Sequence, residues 1–313
     1  MIAIRTHVSP STGIGHLART CRLAAALEKH QIESLFFIDQ ENSLFRDYLY
    51  PFKHTCLYQG NENFQDEESD AHRFMDSAKE YPIEAVVVDD YRFSWVWEKN
   101  AERLGCPLIV LDDRDSVHHQ CSMIVDAKWT GASTSERYKD KIPENCLRLL
   151  GPEYVLLDES YTHRGKTSNS HASKNAMSIM LSLGGGGDMT IAGKLVEKLL
   201  HRAPRDIDFL VQPVIGYFAT NKEVILSIAE NDRRVKPINH ARSLYDYLKT
   251  TTLYIGAAGG TLYEIMSMGI PAVTFALTQN QHNSLSHLED LGHYFHLNEF
   301  GEESFDKLVK LAW

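Results

Sequence analysis

Short apolar runs alternate with amphipathic stretches along most of the chain. The runs are rich in β-branched and aromatic residues and end at polar turns, which is the pattern of buried parallel strands. The amphipathic stretches at 17–29 and 94–104 predict helices. In the first half, the predicted strands are IAI at 2–4, SLFFI at 34–38, AVVV at 85–88 and LIVL at 108–111.

A polar segment at 158–175, DESYTHRGKTSNSHASKN, interrupts this pattern. It is rich in Ser, Thr, His and Lys and has no apolar period, so it predicts a linker. The strand pattern resumes at MSIMLSL (177–183), DFLV (208–211), TLYI (252–255) and PAVTFA (271–276). We therefore predict an α/β fold with two Rossmann-like doubly wound domains, 1–157 and 176–313, facing a central cleft.

Length and charge narrow the class of protein. The 313 residues suit two lobes, and 43% hydrophobic with 24% charged residues is typical of a globular chain. The formal net charge of −10 argues against nucleic acid or an anionic membrane as the main partner. With no run of about 18 apolar residues and no signal-like start, we expect a cytoplasmic protein without stable membrane insertion.

The positions of the cysteines and histidines in the sequence do not indicate a metal site or disulfide bonds. The five cysteines are odd in number, scattered and never in C-x-x-C spacing, so reduced thiols are expected rather than disulfides or a zinc site. No H-E-x-x-H motif occurs. We predict no metal and no cofactor.

The segment TGIGHLARTCRLA at 12–24 is the first candidate for chemistry. Gly13, Gly15 and Ala18 fit the dinucleotide pattern G-x-G-x-x-A, and Asp39 ends the second predicted strand, where a ribose-binding acid would lie. However, RTHVSPST separates the first strand from Gly13, whereas in that fold the first glycine follows the strand almost immediately. A backbone loop that approaches a diphosphate or a sugar, with His16 facing the cleft, is the better interpretation.

His16 has two possible roles. In the first turn of a helix the macrodipole disfavours the imidazolium, so a neutral ring is expected that can accept a proton as a general base. Alternatively, Gly15 only lets the chain turn and His16 only caps the helix. These residues by themselves leave both roles open.

Two glycine-rich loops in the second half predict phosphate contacts. In GAAGGTLYEIMSMGIP at 256–271, a small-residue loop precedes a helix that starts at Thr261, so its N–H groups suit phosphate oxygens. Glu264 either binds a ligand or completes a capping box with Thr261. In SLGGGGD at 182–188, Gly184 and Gly185 indicate close backbone approach to a ligand, with a flexible hinge as the alternative.

The amide-rich segment TQNQHN at 278–283 follows the predicted strand PAVTFA. It falls at the carboxyl edge of the sheet, where open α/β folds bind ligands. Amides both donate and accept hydrogen bonds, as sugar hydroxyls require, which makes Asn280 and Gln281 candidate contacts.

Five segments in register resemble one enzyme family over nearly the whole chain. They are IRTHVSPSTGIGHLARTCRLA, VVDDYRFSWVWE, LGPEYVLL, LSLGGGGD and AAGGTLYEIMSMGIPAVTFALTQNQ. In their order and spacing, the chain resembles the UDP-sugar hydrolases of pseudaminic acid biosynthesis, which are similar to MurG-type glycosyltransferases. Those hydrolases release a diacetamido-trideoxyhexose from its UDP carrier.

The resemblance implies a GT-B fold with UDP held mainly by the C-terminal lobe and a metal-independent, inverting hydrolysis. His16 matches the histidine that activates water for attack on the anomeric carbon, and Tyr91 matches a tyrosine near the sugar. Glu264 would hold the ribose hydroxyls. The remaining implied contacts are Gly259, Gly260 and Thr261 to the diphosphate, and Asn280 and Gln281 to the sugar or phosphates.

Three positions depart from the family pattern: His7 replaces an acid, Asp158 replaces an arginine, and His240 replaces the methionine of an Asn-Met pair. Other functions therefore stay open. A GT-B glycosyltransferase would use the same cleft with an acceptor other than water, and a non-catalytic binder would not need His16. DDRD at 112–115 also resembles the metal-binding D-x-D of GT-A transferases, which we rank last because it leaves the second lobe's loops unexplained.

Overall fold

The computed structural model describes residues 1–9, 12–161, 176–277, 287, 289–292, 294–297 and 301–313. The chain forms two compact units, Met1–Leu156 and Leu157–Trp313. No helix in the described ranges is both long enough and apolar enough to cross a bilayer.

The first unit alternates strands and helices. Its strands are β1 (Ile2–Thr6), β2 (Ser34–Ile38), β3 (Lys53–Cys56), β4 (Ala85–Asp89), β5 (Leu108–Leu111), β6 (Met123–Asp126) and β7 (Leu147–Leu150). Its α-helices are α1 (Gly15–Lys29), α2 (Arg46–Leu49), α3 (Glu67–Ala78) and α4 (Trp95–Ala101). Short 3-10 turns occupy Glu102–Leu104, Thr134–Glu136 and Pro152–Tyr154.

All seven strands of this unit are parallel and lie in the order β3-β2-β1-β4-β5-β6-β7. The order reverses between β1 and β4, which makes that pair the topological switch point, where open α/β sheets bind ligands. The register pairs Thr6 of β1 with Asp89 of β4 at the carboxyl edge. Residues that follow these two strands therefore meet at the switch point.

Aromatic side chains fill the core between this sheet and helices α3 and α4. Trp97 is fully buried and stacks on Phe93 with ring centroids 4.8 Å apart. Asp66 caps α3 by accepting a hydrogen bond from the Ser69 N–H at 2.8 Å, and Ser94 caps α4. The capped helices hold the loop after β4 in place.

The second unit repeats the α/β plan. Its strands are β8 (Ala176–Ser182), β9 (Gly186–Asp188), β10 (Asp208–Ile215), β11 (Phe218–Thr220), β12 (Ile238–Asn239), β13 (Leu253–Ala257), β14 (Ala272–Phe275) and β15 (Tyr294–Leu297). Its α-helices are α5 (Met189–Arg202), α6 (Glu223–Asn231), α7 (Tyr245–Leu248), α8 (Thr261–Met268) and α9 (Glu302–Ala312). Glu159–Tyr161 and Glu289–Leu291 form 3-10 turns.

The main sheet of this unit is also parallel, in the order β12-β10-β8-β13-β14-β15, and β9 pairs with β11 in a separate small sheet. Its switch point lies between β8 and β13. The predicted fold of two Rossmann-like α/β domains is thus confirmed. Tyr161, which lies in the predicted linker, is instead buried in the core of the second unit; residues 162–175 lie outside the described residues.

Candidate active site

His16 lies in the first turn of α1 but does not cap it. The helix begins at Gly15, and its N-cap position is taken by Ile14, whose hydrocarbon side chain offers no acceptor. The loop before it turns at Gly13, which has φ +71° and donates its N–H to the Ser9 carbonyl at 2.8 Å. The backbone therefore needs a glycine at 13, whereas a Cβ at Gly15 would meet nothing within 4 Å.

The ring of His16 is turned inward against Asp89. Its Nδ1 lies 2.5 Å from the Asp89 Oδ1, and only 7% of His16 is exposed. Asp89 is the last residue of β4 and is fully buried. Because an ionised carboxylate only accepts hydrogen bonds, it places the ring proton of a neutral imidazole on Nδ1 and leaves Nε2 as a proton acceptor.

Arg19 holds the other side of the same carboxylate. Its Nε lies 2.5 Å from Asp89 Oδ2, and its Nη2 lies 2.5 Å from Asp89 Oδ1, which is bidentate pairing. Burial opposes ionisation of Asp89, yet the charge of Arg19, together with His16, lowers the pKa of this carboxyl group. Arg19 lies one turn beyond His16 on α1, so a single helix supplies both partners of Asp89.

Tyr91 packs edge-on against His16. The ring centroids are 4.4 Å apart at an interplanar angle of 89°. The Tyr91 hydroxyl donates to Asp113 Oδ1 at 2.6 Å. Burial, and then the neighbouring charge of Asp113, raises the pKa of Tyr91 well above its usual value, so the phenol stays protonated. Tyr91 therefore limits the orientation of the imidazole.

The carboxylates of DDRD have partners within the first unit. Asp112 pairs with Arg114, and Asp115 pairs with Arg137 at 3.1 Å. Within the described ranges, no three or more His, Cys, Asp or Glu side chains are arranged to hold a metal ion. These pairs give the acidic segment a structural explanation, and the GT-A fold from which the D-x-D interpretation came is not the fold of this chain.

Sequence reasoning selected His16 and Tyr91 but missed Asp89 and Arg19. The available signal was the pair of acids at the end of AVVVDD, since the carboxyl end of a strand next to β1 faces the start of α1. Its neighbour Asp90 instead pairs with Arg92 at 2.6 Å. Distinguishing the two acids requires the strand order.

In the second unit, Glu264 is buried, with 5% exposure, on α8. Thr261 is the first residue of this helix and Gly260 is its N-cap, so Thr261 and Glu264 do not form the capping box that was the alternative interpretation. The Tyr161 hydroxyl donates to Glu264 Oε2 at 3.4 Å. Glu264 thus lies one turn inside a helix that starts at the switch point.

The glycines at the end of β13 and in the loop before α8 differ in whether neighbouring atoms leave room for a side chain. A Cβ at Gly256 would lie 2.5 Å from the Ser182 carbonyl oxygen of the adjacent strand, so Gly256 serves packing. A Cβ at Gly260 would meet nothing within 4 Å. Within the described ranges, no hydrogen bond joins the main-chain N–H groups of Gly259, Gly260 or Thr261 to an acceptor in the chain. These donors suit an anion at the helix start.

The glycine run after β8 also lies at this switch point. Gly184 has φ +89°, which favours glycine. Gly185 approaches another backbone segment closely: a Cβ at Gly216 would lie 2.6 Å from the Gly185 carbonyl carbon, and the Phe218 N–H donates to the Gly185 oxygen at 3.0 Å. The close approach indicated by the glycines thus has a partner within the chain. Asn280 and Gln281 lie outside the described residues.

Two of the three departures from the family pattern lie at strand ends. His7 follows β1, with its Nδ1 3.2 Å from Asp39 Oδ2. His240 follows β12 with φ +45° and stacks on Tyr217 at a centroid distance of 5.2 Å. Asp158 accepts hydrogen bonds from the N–H and hydroxyl of Ser160.

Comparison with known proteins identifies the fold. No protein-family model matches the chain. An uncharacterized protein of Methanocaldococcus jannaschii is 25% identical over 285 residues, which is 90% of this chain and 56% of that protein, so the chain spans about half the length of this relative.

Solved structures match at low identity but over nearly the whole chain. Acinetobacter baumannii MurG is 12% identical with a TM-score of 0.64, covering 99% of this chain and 89% of that one. The UDP-GlcNAc 2-epimerase of Neisseria meningitidis, bound to UDP-GlcNAc, is 13% identical with a TM-score of 0.64, covering 99% and 91%. Staphylococcus aureus MnaA, solved with UDP, is 12% identical with a TM-score of 0.65, covering 99% and 87%. The chain therefore shares with these solved structures the GT-B fold of two Rossmann-like α/β domains.

Proposed function

We propose that this protein is a metal-independent hydrolase that releases UDP and a free sugar from a UDP-sugar. The observation that carries the proposal is the contact between His16 and Asp89 at the switch point of the first sheet. A histidine oriented by a buried carboxylate is the arrangement of a general base. The GT-B fold, shared with proteins solved with UDP or UDP-GlcNAc, supports the substrate class.

In the proposed reaction, Nε2 of His16 accepts a proton from a water molecule. The water oxygen forms a new bond to the anomeric carbon from the face opposite UDP. The bond between that carbon and the phosphate oxygen breaks, its electron pair leaves with UDP, and the configuration inverts. Asp89 keeps the ring in one tautomer and stabilises the imidazolium that forms. Arg19 keeps Asp89 ionised and in place.

The second unit would bind the nucleotide. Glu264 is proposed to accept hydrogen bonds from the ribose hydroxyls, since a buried carboxylate is a strong acceptor. The N–H groups at the start of α8, which have no main-chain acceptor among the described residues, suit the diphosphate, whose charge grows as the sugar leaves. The proposed diphosphate contacts are Gly184, Gly185, Gly259, Gly260 and Thr261.

The sugar contacts follow from the first unit and from the family resemblance. Gly13 and Gly15 form the loop before His16, and Tyr91 lies against the imidazole. Asn280 and Gln281 are proposed contacts to the sugar or phosphates. The sugar that the resemblance supports is a diacetamido-trideoxyhexose of pseudaminic acid biosynthesis.

The proposal is tested by incubating the protein with a panel of UDP-sugars in buffer alone and detecting UDP and free sugar by mass spectrometry. The panel includes the diacetamido-trideoxyhexose and UDP-GlcNAc, and a parallel reaction contains a metal chelator. A hydrolase releases both products in equal amounts with the chelator present. UDP release that requires an added acceptor would instead identify a GT-B glycosyltransferase.

A further inference from the structure

A polar pocket lies in the first unit, at the carboxyl ends of β1, β2 and β3. Its volume is about 220 Å³. His7 enters it from the end of β1, Asp39 and Asn42 from the loop after β2, and Phe64 from the loop after β3. Its size is below the range of pockets that hold drug-sized ligands, so it suits a single small ring or its substituents.

Three aromatic residues are among those that line this mainly polar pocket. Phe45 and Tyr58 are each 5% exposed, and both line the pocket together with Phe64. The guanidinium of Arg92 lies 4.2 Å from the centroid of Phe64. Because Phe45 and Tyr58 are almost fully buried, the partly exposed ring of Phe64 is the apolar surface available to pack against the C–H face of a sugar ring or the methyl of an acyl group.

The charges that face the pocket are balanced from outside it. Asp39 lies 2.6 Å from Arg5 and 2.7 Å from Arg92, while Glu41 and Glu62 each pair with a guanidinium at 2.9 Å. No lysine or arginine is among the described lining residues. An anion would therefore meet carboxylates, and a cation would compete with the arginines that already pair with them. A neutral ligand with hydroxyl or amide groups avoids both the repulsion by the carboxylates and the competition with the arginines.

The pocket is connected to the His16 site through one chain of contacts. Arg92 bridges Asp39 and Asp90, at 2.7 and 2.6 Å. Asp90 directly follows Asp89, and Arg92 directly follows Tyr91, so the pocket and the candidate base share the loop after β4.

We propose that this pocket binds the uncharged, hydroxyl- or acylamino-bearing part of the sugar and selects against charged sugars. The inference rests on the proposed function, since it assigns the pocket to the same substrate. The site provides aromatic packing from Phe64, and hydrogen bonding from Asn42 and the carboxylates.

The test uses three monosaccharide probes on the full chain: N-acetylglucosamine, the cation glucosamine and the anion glucuronic acid. Amide NMR shifts of residues 40–45 and 58–64 report binding, with probes up to about 50 mM to saturate a millimolar site. N-acetylglucosamine should shift these amides and bind at least about fivefold more tightly than either charged probe. No shift at these amides, or equal binding of a charged probe, overturns the inference.

Two variants test the pocket's chemistry. Phe64→Leu keeps apolar volume but removes the ring, and should weaken N-acetylglucosamine about three- to tenfold. Asn42→Lys adds a cation at the rim and should improve glucuronic acid relative to N-acetylglucosamine at least about twofold. Asn231→Lys, on the exposed end of α6, is the matched charge control and should change neither. Unchanged selectivity in Asn42→Lys contradicts the assignment.

The inference and the proposed function fail separately. If UDP-sugar hydrolysis is found and depends on His16 while the pocket amides do not respond to N-acetylglucosamine, only the pocket assignment is wrong. If the pocket binds the neutral probe selectively but no UDP-sugar is cleaved, only the hydrolase proposal is wrong.

Discussion

The Nδ1 atom of His16 and the Oδ1 atom of Asp89 lie 2.5 Å apart, although 73 positions separate the two residues in the chain. Strand β4 brings them together because it is the neighbour of β1 across the switch point of the sheet. The contact explains why the imidazole points inward from the first turn of α1 instead of capping it. It also makes Asp89 a positioning residue for the proposed base.

Replacing Asp89 with Asn should lower the turnover of the UDP-sugar about 10²- to 10⁴-fold with little change in KM. The amide can hold the ring in the wrong tautomer and does not stabilise the imidazolium as a carboxylate does. Steady-state kinetics measures the split between kcat and KM. The control is Asp47→Asn, which changes an exposed acid on α2 and should leave kcat and KM at their wild-type values. A rise in KM with an unchanged kcat would instead show that Asp89 binds the substrate and does not position His16.

Replacing Glu264 with Gln should weaken UDP binding by roughly 1 to 3 kcal/mol, the scale of a charge-assisted hydrogen bond. Calorimetry with UDP, with and without a chelator, measures the effect. Glu197→Gln, an exposed acid on α5 of the same unit, should bind like the wild type. Binding that vanishes with chelator would contradict the metal-independent site, and equal affinity in Glu264→Gln would remove the ribose assignment.

The free energy of unfolding should fall as the pH drops below the ordinary carboxyl range. Burial opposes ionisation of Asp39, but the adjacent His7, the hydrogen bonds from Arg92 and the charge of Arg5 lower its pKa in the folded protein. The unfolded chain takes up a proton near pH 3.9, about the usual Asp value, while the folded protein stays ionised. The stabilisation is therefore complete above that pH and is lost progressively below it.

Urea unfolding between about pH 7 and pH 3, followed by tryptophan fluorescence, checks this dependence. In Asp39→Asn, the free energy of unfolding should depend less on pH in the acid range than it does in the wild type. Asp76→Asn removes an exposed pair with Lys79 and should leave the slope nearly unchanged. If the free energy of unfolding of Asp39→Asn fell as steeply with decreasing pH as that of the wild type, groups other than Asp39 would control the acid dependence.

Hydrolysis in labelled water should place the heavy oxygen on the anomeric carbon of the released sugar. Attack at carbon breaks the bond between the sugar and the phosphate oxygen, so UDP keeps its original oxygens. Mass spectrometry of both products after a single turnover distinguishes the routes. Label in the UDP phosphate would show attack at phosphorus and contradict the proposed mechanism.

Much of the fold was predictable because its strands are continuous apolar runs. The runs at 34–38 and 108–111 coincide with β2 and β5. Helix α3 was not predicted, since its buried face consists largely of the small residues Ala71 and Ala78 around Phe74 and gives a weak apolar signal. Strands β6 and β7 are short, and the β7 run LRLL begins with two exposed residues, so neither stood out.

The candidate site was predictable only where local sequence determines it. Gly13 and His16 lie close together in the sequence, so a local motif was enough to select them, while the role of His16 stays a prediction. The pairing with Asp89 depends on strand order, which local patterns do not encode. The glycine run at 184–187 shows a related limit. The sequence predicted close backbone approach to a ligand, whereas the approach that the structure describes is to Gly216 of the same chain, so the ligand contact stays a prediction.

The kcat of His16→Asn at saturating UDP-sugar, measured beside the wild type, tests the central claim most directly. Asparagine keeps a polar side chain but accepts no proton, so kcat should fall about 10²- to 10⁴-fold while substrate affinity changes little. His30→Asn, just beyond the same helix, should behave like the wild type. Equal kcat for His16→Asn and the wild type would contradict the account.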